Sequence, residues 1–199
     1  AVRQAGIEVV DIDVRLSQRA PGRLQLRGTA RSGSGQIRLQ GDTLVGADSG
    51  IRTELILTGN NFELARLPDW QVAASPSIRA IFDERSTVVT GALGIPAASI
   101  TVNEIPATAK SPSPDAIVHR AAGSEARAGR RIELDVTTVL GSAVRFSGFG
   151  LSAGVEGAVR LQGGTGAPWV GNGTLDLRAG RYKAYGQELE IERGELLFN

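Results

Sequence analysis

Apolar and polar residues alternate with a period of two along most of the chain, and the three-to-four-residue spacing of a helix hardly occurs. Ile132, Leu134 and Val136 alternate with Glu133 and Asp135, and Val155, Gly157, Val159 and Leu161 alternate with Glu156, Ala158 and Arg160. The same rule sets Ile37, Leu39 and Gly41 against Gln36, Arg38 and Gln40. It sets Leu175 and Leu177 against Thr174, Asp176 and Arg178, and Leu189 and Ile191 against Glu188, Glu190 and Glu192. Each segment reads as a β-strand with one apolar side. Near the start, Ile7 and Val9 share one parity while Val10, Ile12, Val14 and Leu16 share the other, which predicts a β-bulge near Val9 and Val10.

Turn signals punctuate these strands at Pro21-Gly22, Gly33-Ser34-Gly35, Gly59-Asn60-Asn61, Gly163-Gly164 and Gly171-Asn172-Gly173. Asp83-Glu84-Arg85 is too short for a helix, and the region from Ser75 to Leu93 reads as strand, turn and strand. About fifteen strands in one sheet would extend about 70 Å. A sheet that wide accumulates twist and cannot leave its apolar face in water, so it must curl or fold into two facing walls.

Residues 107–131 break the pattern. They are rich in Ala, Ser and Pro, with five basic residues against two acidic ones and no sustained periodicity. The expected organisation is a first set of strands over 1–106, a flexible insert over 107–131, and a second set over 132–199 completing one structural unit. Charge elsewhere nearly balances, so the insert is the only basic patch that the linear sequence offers.

Composition sharpens the meaning of the apolar side. Gly supplies 26 of 199 residues, while Trp, Tyr and Phe number only two, two and five. A filled sandwich core usually draws on large rings for burial. Val, Leu, Ile, Ala and Gly on an inward side leave space, which favours a groove. With 22 basic and 21 acidic side chains, no net field draws in nucleic acid. Cysteine is absent, which excludes disulfides and thiolate chemistry and suits a bacterial periplasm. No apolar run is long enough to span a bilayer, no leader opens the chain, and the apolar ending after Glu195 suggests a piece excised from a longer protein.

No motif amounts to catalytic chemistry. Gly150-Leu151-Ser152-Ala153-Gly154 spells G-x-S-x-G, but a nucleophile elbow needs a helix after the serine, and a strand pattern follows. The sole histidine, His119, lies in the insert. Gly148 to Ala153 fits G-x-G-x-x-A with the same defect. Asp11 and Asp13 are two carboxylates without a third, short of a cation shell. The acidic set Glu188, Glu190 and Glu192 reads as a solvated strand face balanced by Arg181, Lys183 and Arg193, and the sequon Asn172-Gly173-Thr174 reads as a hairpin turn. Trp70 and Trp169 sit beside Pro and Gly, at a groove mouth, an interface or an ordinary packing site. The expectation is a non-enzyme with no cofactor and no metal.

GSAVRFSGFG over 141–150, then GLSAGVEGAVRL, then GTLDLRAGRYKAYGQELEIERGELLF over 173–198 resembles the C-terminal domain of the TamB family, the inner-membrane subunits of translocation and assembly modules. The run Tyr182 to Gln187 carries most of the specificity, and Gly94 to Ile100 is similar to the same family. The resemblance implies a taco-like β-sheet with an apolar concave interior. It further implies a periplasmic segment of a protein anchored in the bacterial inner membrane, reaching toward the outer-membrane barrel TamA. Members are tied to phospholipid transport between membranes and to assembly of outer-membrane proteins and autotransporters.

Two readings of function follow. In the first, the apolar side is a lipid groove for acyl chains, lined by Ile132, Leu134, Val136, Val144, Phe146, Val155, Val159, Leu161, Leu175, Leu177, Leu189 and Ile191. In the second, the terminal strand Glu195, Leu196, Leu197 and Phe198 is an exposed edge that holds TamA or an unfolded outer-membrane protein client by strand addition. An adhesin-like or glycan-cleaving solenoid would need a regular repeat and an outward acidic cluster, and neither is present.

Overall fold

A computed structural model describes residues 2–4, 6–46, 50–102, 130–184 and 186–199. Every regular element among them is a strand: β1 (Val2–Gln4), β2 (Ile7–Ala20), β3 (Arg23–Ser32), β4 (Gly35–Gly46), β5 (Gly50–Asn60), β6 (Phe62–Arg66), β7 (Trp70–Phe82), β8 (Ser86–Val102), β9 (Arg131–Gly148), β10 (Leu151–Gly164), β11 (Ala167–Ala184) and β12 (Gln187–Phe198). They form a single all-β architecture, one large sheet that curls without closing. Strand order follows chain order, except that β6 leaves the path and pairs with the first half of β7. There β6 continues the line of β5 and meets β2, β3 and β4, where Asn61 donates to the Ser34 hydroxyl at 2.7 Å.

Hairpins make every neighbouring pair antiparallel but one. β8 and β9 run parallel, in register from Ser86 opposite Arg131 to Val102 opposite Gly148. Parallel neighbours need a crossover connection. Val102 and Arg131 therefore lie at opposite ends of the seam, roughly 50 Å apart. The sequence pattern gave no sign of this parallel pairing. Most residues of the predicted insert lie outside the described ones, as does His119, while Arg131 at its predicted end is the first residue of β9.

Other expectations shift by small amounts. The described residues form twelve strands, each running longer than its cleanest stretch of alternation. The bulge predicted near Val9 and Val10 falls between Val10 and Asp13, with Asp11 at φ 50°. Gly163 and Gly164 end β10, and the turn is Thr165-Gly166. Gly171-Asn172-Gly173 is no turn: these residues lie inside β11, opposite Leu161, Arg160 and Val159. Ser75 to Leu93 is strand, turn and strand as expected, with Asp83-Glu84-Arg85 as the turn.

Three glycines explain why turn-like residues sit within strands. Gly91, Gly157 and Gly173 have φ of 138°, 127° and 149°, near the middles of β8, β10 and β11. A Cβ at each would collide with a carbonyl oxygen of the adjacent strand, those of Ser77, Thr174 and Ala158 respectively. Only glycine permits this approach, and glycine kinks of this kind are how a sheet acquires sharp curvature.

Candidate functional site

Paired residues of neighbouring strands project to the same side, so the register divides the sheet into two faces. One row runs Val14, Gly28, Leu39, Leu57, Ile78, Gly91, Val136, Leu161, Gly171 across nine strands without a polar side chain. The next runs Leu16, Leu26, Gly41, Leu55, Ala80, Val89, Leu134, Gly163. Toward the other end of the strands, Ile95, Leu140, Gly157, Leu175 and Leu196 form a third. Large aliphatic side chains repeatedly stand beside glycine, which leaves hollows between them.

The register places all twelve candidate residues on this one face. Ile132, Leu134, Val136, Val144 and Phe146 lie along β9; Val155, Val159 and Leu161 along β10; Leu175 and Leu177 along β11; Leu189 and Ile191 along β12. Val144 is buried, most of the others are half-buried, and Leu189 at the sheet edge is 59% exposed. The candidate set omits the matching half of the face on β2 to β8. The clue was present in the alternation of Ile37, Leu39 and Gly41. Burial among the described residues is confined to a few small or wedged side chains, chiefly Phe62, Ala74, Ala98, Val144 and Ala153, all on this same face.

Aromatic residues are distributed unevenly over it. Phe62, Trp70, Phe82, Phe146, Trp169, Tyr182 and Phe198 all project to the apolar face, and all lie at or close to strand ends. Rings therefore border the face, and aliphatic residues and glycines floor it. Trp70 and Trp169 stand at opposite borders, 51% and 58% exposed; Trp169 rides over Gly163, where a Cβ would come within 2.7 Å of the indole. The tryptophans are thus open border residues rather than packed core.

The opposite face is polar and cross-linked by charge. Arg160 binds Asp135 through two hydrogen bonds of 2.7 and 2.6 Å, Arg79 binds Glu54 at 2.7 Å, and Arg178 binds Glu156. The carboxyls of Asp135 and Glu54 are held below their ordinary range, chiefly by the hydrogen bond from the facing arginine. Asp11 and Asp13 pair with Arg31 and Arg15, each at 3.0 Å. No group of three or more potential metal ligands occurs among the described residues. Ser152 lies on β10 with strand on either side of Ala153, so the helix that a nucleophile elbow requires is replaced by β-structure. Lys183 and Arg181 flank Glu188 at 3.2 and 3.9 Å, matching the balance read for the acidic run.

β12 stands at the end of the strand order and, among the described residues, pairs only with β11. Leu196 and Phe198 project to the apolar face, whereas Leu197 opposite Thr174 projects to the polar one and is 67% exposed. No helix among the described residues is long and apolar enough to cross a membrane.

No solved structure matches the chain. A curated relative, translocation and assembly module subunit TamB of Haemophilus influenzae, is 25% identical over 159 residues, an alignment covering 74% of this chain and 12% of that protein. The model of the TamB C-terminal domain family matches residues 23–199, from the first residue of β3 to the end of the chain. With the curled all-β sheet that this match spans, the chain belongs to the TamB C-terminal domain family.

Proposed function

We propose that the apolar face is the concave inside of the curled sheet and holds lipid acyl chains, as the periplasmic part of an envelope protein that passes phospholipid between inner and outer membranes. The observation that carries this reading is the row from Val14 to Gly171, continuous across nine strands with no polar side chain. Each methylene removed from water contributes about 0.8 kcal/mol, so a partly covered chain is held. A floor made of similar rows offers no deep minimum, which lets the chain slide. Transport of this kind needs no reactive side chain, cofactor or metal. Family membership supports the setting: a translocation and assembly module in the bacterial envelope, with the outer-membrane barrel TamA as partner.

The test is lipid capture by the purified protein, followed by mass spectrometry of extracted lipid. Val159→Asp puts a carboxylate on the floor and should remove captured phospholipid while circular dichroism stays unchanged. Undiminished capture by this variant would sink the reading.

A second reading rests on β12, whose outer edge has no partner strand among the described residues and whose Leu197 is exposed. That edge would hold TamA or an outer-membrane protein client by strand addition. Leu197→Pro should then abolish binding of the periplasmic domains of TamA and leave lipid capture intact; intact TamA binding would remove this reading.

A further inference from the structure

The two borders of the sheet differ in charge. At the border formed by the ends of β2, β4, β7 and β10 and the starts of β3, β5, β8, β9 and β11, few of the described residues that are among the outermost three of a strand or in the turns are charged. They are Arg19, Arg23, Arg52, Arg85, Arg130 and Arg131 against Asp83, Glu84 and Glu133, all exposed except Asp83 and Glu133. At the opposite border, among residues with described side chains, Arg31, Arg66 and Lys183 meet Glu8, Glu63, Asp69 and Glu188. One border is cationic and the other has no positive excess.

Several of these arginines are uncommitted. Arg19, Arg23 and Arg85 form no side-chain ion pair among the described residues. Arg19, Arg23 and Arg52 line one open hollow of about 200 Å³ at this border, where Arg23, Leu44 and Arg52 share the polar face by register and Leu24 and Thr43 mark its meeting with the apolar one. Its carboxylates are Asp42 and Glu54, and Glu54 is already engaged by Arg79. Farther along, the Arg130 guanidinium stands 5.9 Å from the centre of the Phe82 ring and donates to the Asp83 carbonyl oxygen at 2.9 Å. Apolar-face residues line this border beside the cations: Val45, Ile51, Ile132 and Trp169 are each between 45% and 58% exposed.

Cations set along the lip of an apolar surface match one chemistry, an anionic phosphodiester joined to hydrocarbon. We propose that anionic phospholipids lie across the sheet in one orientation, acyl chains over the apolar face and phosphate at the border of Arg19, Arg23, Arg52, Arg85 and Arg130. This rests on the lipid-groove reading and adds to it a headgroup preference and a direction. Guanidinium groups bind phosphate in a planar, two-bonded geometry, which favours arginine over lysine at this task. All six basic residues of the border are arginine.

The test compares two triple variants of equal charge change in the full chain. Arg23→Gln, Arg52→Gln and Arg85→Gln neutralise the border. Arg27→Gln, Arg38→Gln and Arg145→Gln neutralise unpaired arginines outside it. Each protein is incubated with vesicles of mixed phosphatidylglycerol and phosphatidylcholine, and the ratio of the two lipids captured is measured. The border variant should lose about a hundredfold in phosphatidylglycerol preference, and the control variant should keep it. Inorganic phosphate at millimolar concentration should leave the preference in place if diacyl phosphate is the ligand; its disappearance with phosphate would assign the border to free phosphate and overturn the proposal. Equal loss in both triples, or loss in neither, would also overturn it while leaving the groove intact. Failure of the unaltered protein to capture any lipid would instead refute the groove reading itself.

Discussion

Replacing Gly157 with alanine isolates the geometry that bends the sheet. Gly157 lies on β10 at φ 127°, and a Cβ there overlaps the Thr174 carbonyl oxygen and comes within 3.1 Å of the Leu175 Cα. Two costs follow. A positive φ costs an L-residue about 1–2 kcal/mol. Relief of the overlap requires β11 to retreat, because both contacted atoms are backbone, and a forced shift of this kind costs about 1–3 kcal/mol. Together they give about 2–5 kcal/mol. With a urea dependence of about 2 kcal/mol per molar, the unfolding midpoint should fall by about 1–2.5 M. Gly166 is the control: its φ is 84°, yet no atom lies within 4 Å of a Cβ there, so Gly166→Ala bears only the conformational cost. Its midpoint should fall by about 0.5–1 M. The measurement is tryptophan fluorescence against urea for both variants. If Gly157→Ala proved no less stable than Gly166→Ala, strand approach at Gly157 would not require the missing side chain, and the account of the curvature would fail.

Two further predictions concern charge and the apolar face. Asp135 and Glu54 titrate below their ordinary range because arginines bind their ionised forms, so their contribution to stability is present above the ordinary carboxylate pKa and lost as pH falls through the lowered one. Urea midpoints should drop as pH falls below the ordinary carboxylate range of about 4, and Asp135→Asn should shrink that drop; an unchanged acid profile would show that the pair with Arg160 is idle. If acyl chains occupy the face bordered by Trp70 and Trp169, phospholipid brominated in its chains should quench both indoles. Trp70→Phe and Trp169→Phe then separate the two signals, and quenching of neither would place the hydrocarbon elsewhere.

Alternation revealed strands and their apolar side correctly because both depend on near neighbours. Ile132, Leu134 and Val136 share a face whatever lies beside them. Which strand lies beside them depends on distant pairing, and nothing in residues 107–131 signals that β9 aligns parallel to β8. Gly171-Asn172-Gly173 misled for a related reason. Glycine marks any place where a side chain is forbidden, and a close approach between strands forbids one as firmly as a tight turn does. The cationic border was hidden in a balanced total. Residues before the insert have equal numbers of acidic and basic side chains, yet the hairpins bring Arg19, Arg23, Arg52 and Arg85 to one end of the strands and leave Glu8, Glu63 and Asp69 at the other.

The parallel seam between β8 and β9 has a consequence for how the molecule is put together. On either side of it every pairing joins strands adjacent along the chain, apart from the β5 to β7 step around β6. Contacts of that kind close short loops and form quickly, whereas every pair of the seam, such as Ser86 with Arg131 or Val102 with Gly148, closes a much longer loop of about forty-five residues. The protein is thus two meanders that can each form from its own local contacts, then zip together along one long line. A chain cut within residues 103–129 keeps both meanders whole. The two pieces should reassociate as partners, with the seam as their shared interface.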